Sequence, residues 1–426
     1  MTSFDTSPQL NVGRMLLAMA VVFVMLATTG WTALHSHRET SGVQASLADW
    51  RHGRVHGHPL PDPQAAPAKL ARFFARLTTG ERDTLADRYP FAVGNMNGAP
   101  VTLRYRANRV ALRQARVTER ERVHDNRLSE AGQQDAAATV ARYDALLAPG
   151  RRILSFDPTG AGRVAEVFGS LNRAERISLV VPGVDTNLLT FERTGAKRYT
   201  APVGMAQALY AAERKASPRT RTAVIAWADY TAPDGLGVDA ATAMRADEGA
   251  VRLNGLLRAL PGRAPVALFC HSYGSVLCGV AAHALPHRVT DVAVAASPGM
   301  RVAEASHLRT PAHVWAMRDP TDWIRDVPYL ELGGLGHGAD PVSPAFGARV
   351  LSAAGARGHA GYFQPGTDSL RNFADVGVGD YAKVTCAGDG HACRDGLPDT
   401  AAKDTAKDTA RGTAHSTVDG ARAGRA

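Results

Sequence analysis

In the segment Cys270-His271-Ser272-Tyr273-Gly274-Ser275, a serine stands between a short apolar run, Val266 to Phe269, and a small-residue stretch, Val276 to Leu285, that reads as a helix. Strand, Ser-centred sharp turn and helix in that order make a nucleophile elbow, which lifts a hydroxyl above the end of a sheet. Small residues two before and two after the serine let strand and helix approach. Gly274 meets that need, whereas Cys270 is larger. Ser272 is the expected nucleophile, and Cys270 and Cys278 are expected to be buried thiols that fill space rather than bind a ligand.

A serine hydroxyl is a weak nucleophile until a base takes its proton, and the base needs an acid to fix its tautomer. In sheets that carry such an elbow the order along the chain is Ser, acid, His. The run His313 to Met317 ends in Arg318-Asp319-Pro320-Thr321-Asp322-Trp323-Ile324, which offers two carboxylates. Asp322 is preferred, because its offset from the run and the apolar pair behind it suit a loop folding back toward the sheet. Asp319, before a proline, reads as turn chemistry and is the second choice. For the base, His359 in Arg357-Gly358-His359-Ala360-Gly361 follows an expected last strand near Ala348 to Ser352. His337, in Gly336-His337-Gly338-Ala339-Asp340-Pro341, is the alternative and otherwise a turn residue at a pocket rim. An oxyanion hole would combine the backbone N–H of Tyr273 with that of Val184, in Val181-Pro182-Gly183-Val184-Asp185-Thr186. Trp227 and Tyr230 are candidate substrate-binding residues, or equally core aromatics. The chemistry is cleavage of an ester or related acyl bond through an acyl-enzyme, on a small-molecule or lipid-like acyl substrate, with no cofactor. A peptidase, an acyltransferase or a non-catalytic binding protein would use the same scaffold.

The elements that must position these residues are short β-branched runs separated by turns and helical stretches. They are Ile177 to Val181, Ala223 to Trp227, Val266 to Phe269, Val292 to Ala295 and His313 to Met317. Strands buried on both faces and alternating with helices predict an α/β fold, a doubly wound, mostly parallel sheet spanning 151–382. Ligands bind beyond the carboxyl ends of such strands, where the chemistry-bearing residues fall. Residues 68–150 read as a helical extension, with helical pattern from Lys69 and again from Val101 to Leu147.

Residues 1–34 contain Met15 to Leu34, which lacks any charge and reaches the roughly 20 residues needed to cross a bilayer. A signal-anchor is preferred over a cleaved signal, so the expected location is the cell membrane with the main domain outside the cytoplasm, or secretion. Residues 35–67, rich in His, Gly and Pro, read as a linker, and His52, His56 and His58 in it as solvated rather than as a metal site. Residues 383–426 read as a low-complexity, disordered tail, with Cys386 and Cys393 near enough for a disulfide across six intervening residues. The chain has 426 residues with 49 Lys and Arg against 40 Asp and Glu. The arginines are dispersed rather than gathered in a stripe, so no nucleic-acid partner is implied. Four cysteines are too few for a disulfide scaffold.

From about Leu70 to Asp380 the chain resembles a family of bacterial α/β hydrolases catalogued largely as a domain of unknown function. The resemblance rests on Val93-Gly94-Asn95-Met96-Asn97-Gly98 with Arg106-Ala107-Asn108, on Val181-Pro182-Gly183 and on His271-Ser272-Tyr273-Gly274-Ser275. It extends to Asp322-Trp323-Ile324, to Gly336-His337-Gly338-Ala339-Asp340-Pro341, and to His359 with Ser369-Leu370-Arg371-Asn372. It implies an α/β-hydrolase fold and a Ser272, Asp322, His359 triad, and supplies no firm substrate. Where members usually carry Gly before the His-Ser pair, this chain has Cys270.

Overall fold

The computed structural model describes residues 42–388 and 390–397. The apolar segment Met15 to Leu34 and the Ala/Lys/Asp/Thr repeats lie outside the described residues. Among the described residues no helix is long and apolar enough to cross a membrane.

One eight-stranded sheet organises the chain. Its strands are β1 (Ile153–Asp157), β2 (Arg163–Gly169), β3 (Arg176–Val181), β4 (Thr222–Ala228), β5 (Val266–His271), β6 (Val289–Ala295), β7 (His313–Met317) and β8 (Arg349–Val350). Their spatial order is β1-β2-β4-β3-β5-β6-β7-β8. The pairs β1/β2 and β2/β4 are antiparallel, and every other pair is parallel. The five apolar runs of the sequence are β3 to β7. Their lack of polar alternation follows from burial on both faces: Ile177, Leu179 and Val181 enter one core with Ala223, Ile225 and Trp227, while Val180, Val224 and Ala226 enter the other. Over the face of Val180, Val224 and Ala226, the first face, lie α7 (Pro202–Ala216) and α10 (Asp368–Val378), and over the face of Ile177 and Trp227, the second, lie α8 (Met244–Ala259) and α9 (Tyr273–Ala281).

Ahead of the sheet come α1 (Gly42–His52), α2 (Pro67–Arg76), α3 (Thr79–Arg88), α4 (Pro90–Asn95), α5 (Val101–Val123) and α6 (Glu130–Leu146). The motif around Gly94 docks these helices on the sheet edge. Asn95 donates to Phe156 O at 2.8 Å and accepts from its N–H at 3.0 Å, and Asn108 donates to Gly94 O and Ile153 O. A Cβ on Gly94 would stand 2.0 Å from Asn108 Oδ1, so this position requires glycine.

Two expected boundaries change. The stretch expected as a linker is folded from residue 42. Trp50 is fully buried with Leu60, Phe74 and Tyr89, its Nε1 donates to Pro61 O at 2.7 Å, and Ser46 Oγ accepts from the N–H of Ala92. Its four anchors, Leu47, Trp50, Val55 and Leu60, are spread through a His/Gly/Pro-rich stretch too thinly to show an apolar period. The expected tail likewise begins later. Val384, Cys386 and Cys393 are buried in the first-face core, a Cys386–Cys393 disulfide closes the loop, and Arg349 donates to Cys393 O and Asp395 O.

Within that core Glu213 of α7 is fully buried and accepts a hydrogen bond from Ser178 of β3. Burial pushes its carboxyl up to about 8, against the pull of its hydrogen bonds and of Arg176. The unfolded chain ionises this group near the ordinary value and the folded chain only near 8. Stability from this residue is therefore highest in acid and falls as pH rises between those two values. Glu213→Gln is expected to remove the fall. Relative to wild type the variant should gain on the order of a few kcal/mol between pH 5 and pH 9, read from urea midpoints.

Candidate functional site

Ser272 joins β5 to α9 with φ 55° and ψ −128°, a strained backbone for a non-glycine residue. Its N–H donates to Ala295 O at 3.0 Å, and its carbonyl accepts from Ser275 N–H at 2.9 Å, which fixes the turn. A Cβ on Gly274 would stand 2.3 Å from Val181 O, so the close approach of α9 to β3 requires glycine there. The larger Cys270 is accommodated differently from expectation. It is no free thiol but forms a disulfide with Cys278, tying the strand before Ser272 to the helix after it, with both cysteines buried. Closing so short a loop contributes about 2.5 kcal/mol by restricting the unfolded chain. The double variant Cys270→Ala, Cys278→Ala is expected to lose about that much in denaturant unfolding. An unchanged midpoint would show that the cross-link adds nothing.

Beyond the ends of β5 and β7, three side chains meet. His359 Nε2 lies 2.8 Å from Ser272 Oγ, and His359 Nδ1 lies 2.9 Å from Asp322 Oδ1. Asp322 is fully buried. Burial pulls its carboxyl pKa upward, but the hydrogen bonds from His359, Ile324 N–H and Tyr362, with the His359 charge, outweigh it and hold the group below the usual carboxylate range. Ile324 N–H donates to Oδ1 at 3.0 Å and Tyr362 OH to Oδ2 at 2.7 Å. The ionised carboxylate thus takes Nδ1–H of His359, leaving Nε2 to accept the Ser272 proton. Trp323, 42% exposed, lies against the imidazole with ring centroids 4.6 Å apart.

The alternatives stand elsewhere. Asp319 accepts from Thr321 N–H and from Gly358 N–H, so it braces the loop that carries His359. His337 pairs through Nε2 with Ala240 O at 2.7 Å and rests edge-on against Tyr273. Trp227 and Tyr230 do not line the cavity that holds Ser272. They stack in the second-face core, Trp227 fully buried, because period two along β4 turns Trp227 the same way as Ile225. Tyr230 does reach the site from below, donating to Pro182 O at 2.7 Å.

The cavity measures about 200 Å³ and includes Gly183, Val184, Thr186, Thr190, Arg193, His271, Ser272 and His359 in its lining. A Cβ on Gly183 would stand 2.6 Å from Ser272 Cβ, which brings the loop carrying Val184 against the nucleophile. The N–H of Tyr273, at the start of α9, and that of Val184 have no acceptor among the described residues. Sequence reasoning missed His271, Tyr362 and Arg193. Burial, and the charge of His359, hold His271 at about 4, so it is neutral at pH 7 and donates Nε2–H to His359 O at 2.6 Å, positioning the imidazole-bearing loop.

A family model described as alpha/beta hydrolase matches residues 157–332. The uncharacterized protein Rv2079 of Mycobacterium tuberculosis is 27% identical over 377 residues, covering 75% of this chain and 57% of its own length. The chain therefore spans little more than half of that relative. Rv0963c of the same organism, also uncharacterized, is 30% identical over 205 residues, 46% of this chain and 75% of its own. A solved structure, dienelactone hydrolase from Anabaena variabilis, is similar at 17% identity over 53% of this chain and 93% of that one, with a TM-score of 0.29. This chain belongs to the α/β hydrolase family.

Proposed function

We infer that the protein is a serine hydrolase that cleaves an ester or related acyl bond through an acyl-enzyme on Ser272. The observation that carries this reading is the 2.8 Å contact between Ser272 Oγ and His359 Nε2, with Asp322 ionised behind the imidazole. In the proposed cycle His359 takes the hydroxyl proton as Oγ attacks the acyl carbon. The N–H groups of Tyr273 and Val184 receive the oxyanion, and His359 returns the proton to the leaving alcohol. A water then gives its proton to His359 as it attacks the acyl carbon, and His359 returns that proton to Ser272 Oγ as the acid is released. The cavity of about 200 Å³ favours a short acyl group over a long lipid chain. Pairing of all four cysteines supports work in an oxidising compartment, outside the cytoplasm.

The test is hydrolysis of p-nitrophenyl butyrate by the wild type and by Ser272→Ala. The wild type should show a burst of nitrophenol stoichiometric with enzyme where deacylation is slow, or steady turnover where it is not, and the variant neither. Well-folded wild-type protein that turns over no member of a short-chain ester panel would overturn the reading and favour a binding protein on the same fold.

A further inference from the structure

The cavity that holds Ser272 is lined by an arginine that pairs with no described residue. Arg193 lines it, half-buried, and its guanidinium makes no hydrogen bond or ion pair with any described residue. Several other partly buried arginines of this chain are consumed. Arg142 and Arg151 share Glu192, Arg163 meets Asp157, and Arg318 meets Asp340 at 2.6 Å. Glu192, next to Arg193 in the chain, is therefore engaged with those two arginines at 3.3 and 2.7 Å. Asp185 also lines the cavity, but its Oδ1 accepts the N–H of Gly235 at 2.7 Å and it forms no ion pair with Arg193. Asp322, behind His359, is buried and engaged with that imidazole. Lys197 and Arg198 follow on the exposed segment Gly195–Thr200 and add positive charge, Arg198 being held by Gln207.

A guanidinium presents a rigid fork of N–H donors that matches a carboxylate in two parallel hydrogen bonds, and leaving it partly desolvated without a partner is unfavourable. We propose that Arg193 receives a carboxylate of the substrate while Ser272 attacks an acyl carbon of the same molecule, so that the preferred substrates are esters carrying an acid group. Thr186, lining the same cavity, has only a long contact from its hydroxyl to Val184 O at 3.5 Å and supplies a further donor, whereas the Thr190 hydroxyl is spent on Asp185 O at 2.7 Å. This rests on the reading of Ser272 as nucleophile, and it adds a substrate class to that reading.

The experiment measures binding on the Ser272→Ala protein, where no turnover intervenes. Three ligands are titrated by calorimetry: mono-p-nitrophenyl glutarate, with its carboxylate on the acyl side; 4-carboxyphenyl valerate, with it on the alcohol side; and neutral p-nitrophenyl valerate. One anionic ester should bind at least tenfold tighter than the neutral one, and less so in 0.5 M NaCl. Adding Arg193→Ala should bring that ratio near one, and Arg193→Lys should keep part of it, with unchanged melting curves showing that the fold survives. Equal binding of all three ligands, or a preference that persists without Arg193, would overturn the proposal. A charge-selective site in a wild type that never hydrolyses these esters would instead sink the nucleophile reading and leave the carboxylate site standing.

Discussion

His359→Ala is expected to lower kcat on a short-chain p-nitrophenyl ester by about four to six orders of magnitude while KM changes less than tenfold. On the proposed mechanism the imidazole holds no substrate. Its Nε2 takes the Ser272 proton as the bond to carbon forms, an interaction that exists fully only in the transition state. Ser272→Ala should cost about the same, and the double variant little more than either, because the two groups act as a unit. Asp322→Asn should cost less, on the order of 10³ to 10⁴, through loss of the Nδ1–H tautomer. Stopped-flow and steady-state rates on the four variants check this. Additive losses in the double variant would show that Ser272 and His359 do not work as one device.

Gly183→Ala should be the most damaging change outside those three side chains. The added methyl would stand 2.6 Å from Ser272 Cβ, 3.0 Å from its Oγ and 3.2 Å from His271 O, where backbone and a strained turn leave no flexible neighbour to yield. Either Ser272 leaves the reach of His359, or the loop bearing the Val184 N–H withdraws from the oxyanion. The loss of an oxyanion donor alone costs about 10² to 10³ in kcat. Gly237 serves as the control, since an added Cβ there meets nothing within 4 Å and its backbone needs no positive φ. Gly237→Ala should leave the rate within twofold, and a rate for Gly183→Ala equally close to wild type would place the oxyanion elsewhere.

The sequence shows its central strands plainly because β3 to β7 are apolar on both faces, and the elbow plainly because strand, Ser272 and helix are contiguous. The strands β1 and β2, at one end of the sheet, are harder to read. β2 carries Glu166 at its centre, buried against Arg151 at 2.5 Å, and a charged residue in a strand hides the apolar pattern until its partner is known. The pairing of Cys270 with Cys278 depends on how closely α9 returns along β5, which spacing does not reveal. Trp227 lies near the end of a strand, where ligands bind, yet period two decides its direction, and only the packing of α8 shows which face it fills. Arg193 belongs to no local motif. Its interest comes from the partners it lacks, which requires the positions of Glu192, Asp185 and Arg151 together.

The most direct test of the account is covalent labelling of wild-type protein with a fluorophosphonate probe, followed by mass spectrometric mapping of the adduct. A single adduct on Ser272 is expected, absent in Ser272→Ala and slowed at least a hundredfold in His359→Ala, since the probe reports the activated hydroxyl without regard to the natural substrate. Folded protein that takes no label, or an adduct on another serine that persists in Ser272→Ala, would contradict it.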